Sequence, residues 1–125
     1  MFDNAILILL NYYDYDYVFE NKRKRDTTEA IAESVVSCSE TIGTKAIVAC
    51  TTSGYSAKKI SNLKPKNVII ATCPSENVVR SLALSWGVYP VLVPLYKSTD
   101  EIVESARNKA IEELNFKNGD NIVIT

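Results

Sequence analysis

The chain contains no histidine. That removes the commonest general base, the commonest zinc ligand and every Ser-His or Cys-His nucleophilic arrangement, and with them most hydrolase mechanisms. Cysteine is scarce too: Cys38, Cys50 and Cys73 are an odd number with no C-x-x-C spacing, which argues against a disulfide framework or a structural zinc site. A reducing, cytoplasmic setting is the expectation. Charge of either sign is not in excess, since 14 Lys+Arg against 15 Asp+Glu leave a net charge of −1. Without a global field to attract nucleic acid or an anionic membrane, any anion site must be local. Long apolar runs are also missing. The nearest is residues 5–10 (AILILL), preceded by Asp3 and by no Lys or Arg, and too short for a signal core or a membrane span. It reads as a buried or interface-seeking segment.

What remains is 125 residues, 46% hydrophobic and 23% charged, enough for one globular domain and too few for a multidomain enzyme. Residues 1–25 form an N-terminal segment with a short helix, and residues 26–125 the domain proper. Four of seven tyrosines fall in residues 11–19 (NYYDYDYVF), followed by Lys22, Arg23, Lys24 and Arg25. Aromatics interleaved with cations resemble a single-stranded nucleic-acid platform. Asp14, Asp16, Glu20 and Asp26 largely neutralise the patch, however, so the preferred reading is a linker whose aromatics pack on the domain.

Asp26-Thr27-Thr28-Glu29 has the form of a capping box, and Ile31, Val35, Cys38 and Ile42 then recur at helical spacing up to Gly43. Residues 46–50 (AIVAC) and 68–72 (VIIAT) read as strands buried on both faces, with a helix over residues 55–63 between them. Ser75 caps a further helix carrying Val78, Val79, Leu82, Ala83 and Trp86 on one side and ending at Gly87, with Trp86 read first as core and second as an interface anchor. A third strand is expected at residues 91–95 (VLVPL). Ser98-Thr99-Asp100-Glu101 opens a long helix with Ile102, Val103, Ala106, Ala110 and Leu114 inward, and Asn118-Gly119 turns the chain into residues 121–125 (NIVIT) as a fourth strand. Strands alternating with helices require crossover connections, so the expected class is a three-layer α/β/α sandwich on a mainly parallel sheet of four to five strands. The chain stops at its last strand candidate, as a fragment of something longer would.

In open α/β sheets ligands bind beyond the carboxyl ends of the strands, and the loop leaving the AIVAC strand is Thr51-Thr52-Ser53-Gly54-Tyr55-Ser56. Hydroxyl donors, a glycine that admits close backbone approach and the N–H groups of a helix start together suit a phosphate, with Lys58 and Lys59 one turn later to add charge. The loop is neither a Walker A sequence nor G-x-G-x-x-G, so nucleotide hydrolysis is unsupported. The plainer alternative is that Ser53 caps the helix and Gly54 makes the turn. Hydroxyls without a base support binding rather than turnover. No carboxylate cluster has metal-ligand spacing, and Cys50 and Cys73 read as small buried hydrophobes before they read as nucleophiles.

From about residue 15 to Thr125 the chain resembles the C-terminal domain of pyruvate kinase. The resemblance is carried by TTEAIA at residues 27–32, KAIV at 45–48, TSGYSA at 52–57, WGVYP at 86–90 and NGDNIVIT at 118–125. It implies a mixed five-stranded sheet whose last strand is antiparallel, and this chain stops before that strand. It also implies an allosteric effector module that binds a sugar phosphate, such as fructose 1,6-bisphosphate or ribose 5-phosphate, or a nucleotide monophosphate such as AMP, and that forms one interface of a homotetramer. The phosphate-gripping residues carried over are Thr51, Thr52, Ser53, Gly54 and Ser56; Tyr55 departs from the basic or hydroxyl residue of many members. The parent enzymes transfer phosphoryl from phosphoenolpyruvate to ADP in glycolysis with a divalent metal, usually Mg2+, and often K+, in a separate (β/α)8 barrel. By resemblance, therefore, this chain carries no catalytic residue, metal or cofactor of its own, and its partners are the effector, further copies of itself or a barrel domain, with no nucleic acid and no membrane. Two alternatives stand beside this one: a structural oligomerisation module with a vestigial loop, and an enzyme using Cys50 or Cys73.

Overall fold

A computed structural model describes residues 4–7, 26–117 and 119–125. In chain order these form β1 (Asn4–Leu7), α1 (Thr27–Ile42), β2 (Ala46–Cys50), α2 (Tyr55–Asn62), β3 (Val68–Cys73), α3 (Glu76–Leu82), β4 (Val88–Leu92), α4 (Thr99–Glu113) and β5 (Asn121–Ile124). The five strands make one sheet in the order β1-β5-β2-β3-β4, and all four pairings are parallel. This is the expected α/β class. The expected aromatic and basic stretch, and the short helix of the N-terminal segment, lie outside the described residues.

Period-two alternation sorts the strands onto two helix layers. Ile47, Ala49, Ile69, Ala71, Val88 and Val123 face α1, α2 and α3, where Val35, Ala57, Ile60 and Leu82 complete one core. Ala46, Val48, Ile70, Ile122 and Ile124 face α4, which contributes Ala106 and Ala110 to the other. Strands covered on both sides are continuous apolar runs, which is why AIVAC, VIIAT and NIVIT were legible as strands. At the amino ends of β2 and β3 the buried hydroxyls of Ser39 and Thr44 lie 2.6 Å apart, and the Asn67 amide donates to both, at 2.6 and 3.1 Å. This network ties the end of α1 to two strand starts, satisfying polar groups that burial would otherwise penalise.

Three expectations are corrected. First, residues 4–7 form a parallel edge strand beside β5, Asn4 opposite Asn121 through Leu7 opposite Ile124, although the sequence suggested only an apolar segment. Second, β4 begins three residues earlier than expected and contains Pro90. The strand meets β3 through the Gly87 carbonyl and the Val93 amide, at odd-numbered positions. Pro90 therefore turns its missing donor to the outside of an edge strand, where no ladder hydrogen bond is lost. Third, Trp86 is 52% exposed, not core. α3 stops at Leu82, which fills the core position; tighter turns then bond Leu84 to Ser81 and Ser85 to Leu82, and these carry Trp86 outward.

Candidate functional site

Every described helix begins at the carboxyl edge of the sheet, because each runs antiparallel to the strands beside it. Three of the four described helices start in the same way. Asp26, Ser75 and Ser98 accept from the amides of Glu29, Val78 and Glu101, three residues on, as their sequences led one to expect. The start of α2 differs. Its N-cap is Gly54 at φ +85°, with no side-chain hydrogen bond to the helix, so the equivalent amide of Ala57 meets no capping side chain.

Within the loop, Thr51 is buried and its Oγ1 accepts from the Gly54 amide at 2.9 Å, while the Thr51 amide donates to the Thr72 carbonyl at 3.0 Å. The exposed Ser53 hydroxyl, one residue before the N-cap, accepts from the Tyr55 amide at the first residue of α2, at 3.3 Å. Glycine at position 54 is required twice over. Its φ is left-handed, and a Cβ there would stand 3.0 Å from Val78 Cγ1 and 3.3 Å from Leu82 Cδ2. The loop thus rests directly on α3, with Thr52 and Ser53 turned to solvent and Ser56 half-buried.

Charge is distributed differently from the expectation. Lys59 does not serve the loop: its ammonium lies 3.4 Å from a Glu29 carboxylate oxygen and 5.1 Å from the centre of the Tyr55 ring. Burial works against its charge, but Glu29 and Tyr55 outweigh that and raise its pKa. Lys58 is exposed. The Tyr55 hydroxyl donates to Asp26 Oδ2, away from the loop, and this bond, with some desolvation and the charge of Asp26, raises the tyrosine pKa. The structure therefore brings together Thr51, Thr52, Ser53, Gly54 and Ser56 and gives Tyr55 a different partner.

Beside Thr51 and Thr52 lies a cavity of about 90 Å³, lined also by Cys50, Thr72, Pro94 and Ile102. That is room for a few waters or a small group, at about 30 Å³ per water. Its walls come from the β3 end and the β4–α4 connection, both at the carboxyl edge. The sequence rule that located the first loop applies equally to these loops, but nothing in their composition marks them. Cys50 packs on the α4 side; burial pushes its thiol pKa up against a lowering hydrogen bond from Thr72, the wrong direction for a thiolate nucleophile. Cys73 belongs, by strand alternation, to the opposite face, with Sγ 3.5 Å from the Thr52 carbonyl and the Ser75 amide. Among the described residues no three His, Cys, Asp or Glu side chains gather as a metal site, and no helix is long and apolar enough to cross a membrane.

The sequence profile of the pyruvate kinase alpha/beta domain matches residues 29–125. The chain belongs to that family. It is 42% identical over 106 residues to a pyruvate kinase of Lactobacillus delbrueckii subsp. bulgaricus, covering 85% of this chain and 18% of that protein. A Clostridium acetobutylicum pyruvate kinase is 34% identical over 117 residues, covering 91% of the chain and 25% of the relative. Among solved structures, a Cryptosporidium parvum pyruvate kinase superposes with a TM-score of 0.75 at 26% identity, over 93% of this chain and 24% of that one. The chain thus spans about a fifth to a quarter of the length of these relatives. The fold and the family of the pyruvate kinase C-terminal domain follow directly.

Proposed function

We propose that this chain is a regulatory module that binds a phosphorylated metabolite at Thr51, Thr52, Ser53, Gly54, Tyr55 and Ser56, with the phosphate against the start of α2. The observation that carries this reading is the contrast in helix starts: α2 alone among the described helices has a glycine N-cap and no capping side chain. First-turn amides need acceptors, and the positive end of the helix dipole favours an anion there. The exposed hydroxyls of Thr52 and Ser53 add donors, Gly54 admits close approach, and the adjoining cavity receives a small part of the organic group. Tyr55 contributes its backbone rather than its hydroxyl. Within a longer pyruvate kinase, which transfers phosphoryl from phosphoenolpyruvate to ADP with a divalent metal, usually Mg2+, and often K+, the role of this chain is to sense an effector rather than to catalyse.

Thermal unfolding with fructose 1,6-bisphosphate, ribose 5-phosphate, AMP, ATP and sulfate tests this. A ligand at a hundred times its dissociation constant adds about 2.7 kcal/mol, a rise of roughly 5–15 °C for a domain of this size. One phosphorylated metabolite should give that rise. No rise with any of them contradicts the reading.

A second reading, assembly, is favoured by a different observation: Leu84, Trp86 and Tyr89 near the β4 edge are 93%, 52% and 61% exposed. Apolar surface of this kind is common at protein contacts. Sedimentation that shows only monomer at high concentration would count against it.

A further inference from the structure

A cluster of side chains beside the loop joins α1 to α2. Asp26 uses its two carboxylate oxygens on two helices: Oδ1 accepts from the Glu29 amide at 2.7 Å and so caps α1, while Oδ2 accepts from the Tyr55 hydroxyl at the first residue of α2. A second tie runs alongside, from Lys59 on α2 to Glu29 in the first turn of α1, with the Lys59 ammonium over the Tyr55 ring. The residue that begins α2 is thus fastened by its side chain to the residue that caps α1.

The same residue is fastened by its backbone to the loop. Its amide is held by Ser53 Oγ, and the preceding amide by Thr51 Oγ1. A phosphate that takes the Tyr55 amide must displace the Ser53 hydroxyl, which then turns from accepting that amide to donating to the anion. On its other side the loop packs on α3 at Gly54, which is buried. Val78 and Leu82 already stand against Gly54 at the distances where a Cβ would collide. The hydroxyl bond of Tyr55 to Asp26 links any rearrangement at Tyr55 to α1.

Resting on the anion-loop reading, we propose that Tyr55 is a positioning residue that couples occupancy of the Thr51–Ser56 loop to the start of α1 through its bond to Asp26. Coupling of this kind is reciprocal: whatever loop occupancy does to the Asp26 cap, the state of the cap does to loop affinity. Substituting Tyr55 by Phe removes the hydroxyl bond without altering charge or the ring beneath Lys59, and leaves both helices their other contacts.

The test is a titration of the isotopically labelled chain with inorganic phosphate, followed by amide resonances in the unsubstituted protein and in Tyr55→Phe. In the unsubstituted protein the Ser56 and Ala57 amides and the Glu29 amide, which reports the Asp26 cap, should shift together with one dissociation constant. In Tyr55→Phe the loop amides should still shift, the Glu29 response should fall to less than half, and the dissociation constant should change by about fivefold, the low end of usual couplings. Loop shifts without a Glu29 shift in the unsubstituted protein, or an undiminished Glu29 response in Tyr55→Phe, overturn the coupling alone. No loop shift in the unsubstituted protein overturns the anion-loop reading, and the coupling with it.

Discussion

The starts of α2 and α4 lie at the same edge of the same sheet and are built on opposite plans. At α4, Ser98 accepts from the Glu101 amide at 3.2 Å, and Asp100 and Glu101 in the first turn answer the helix dipole. At α2 the first turn holds no acid, the cap is a glycine, and the nearby hydroxyls of Thr51 and Ser53 accept from the Gly54 and Tyr55 amides, leaving the Ser56 and Ala57 amides without a capping side chain. A helix start that only has to be stable supplies its own acceptors and negative charge. One that leaves both out is suited to an acceptor from elsewhere.

The largest way to break the comparison is Gly54→Ala. It forces a left-handed conformation on a residue with a Cβ and drives that carbon against Val78 and Leu82. A loss of about 2–4 kcal/mol is expected in urea unfolding, from the conformational and overpacking costs together. A loss below about 1 kcal/mol would mean that the loop yields easily.

Next come the two serines. Ser98→Ala removes a true cap and should cost about 1 kcal/mol, whereas Ser53→Ala removes only a 3.3 Å bond at the surface and should cost less than about 0.5 kcal/mol. Equal losses in parallel denaturant titrations would erase the distinction between the two starts.

The smallest effect is in pH. Because the folded-state pKa of Tyr55 lies above its unfolded value, the contribution of its bond to Asp26 is fully present below about pH 10 and is lost as pH rises through the folded pKa. Stability profiles of the unsubstituted chain and Tyr55→Phe should therefore converge at alkaline pH. Profiles that stay parallel would remove the Tyr55–Asp26 bond from the account.

How much of this was legible in the sequence depended on whether a residue signals locally. The caps at Asp26, Ser75 and Ser98 and the doubly buried strands β2, β3 and β5 were readable, because capping chemistry and apolar runs act over a few residues. β4 was placed three residues late because the apolar run VLVPL is denser than the strand itself, VYPVL, whose register is set by pairing with β3 and whose Pro90 sits at the sheet edge. β1 was missed because its pairing partner lies 117 residues away, Asn4 against Asn121. At the candidate site the loop itself was found by position and composition. The partnership of Tyr55 with Asp26, 29 residues apart, and the diversion of Lys59 to Glu29 are tertiary facts that no local pattern encodes.

The proposed binding of a phosphate by the Thr51–Ser56 loop at the start of α2 is tested by calorimetric titration of the chain and of Ser53→Ala with a sugar phosphate. Saturable one-to-one binding by the unsubstituted chain, weakened at least tenfold in the folded Ser53→Ala variant, is the predicted result. Binding of equal strength in both, or in neither, would contradict it.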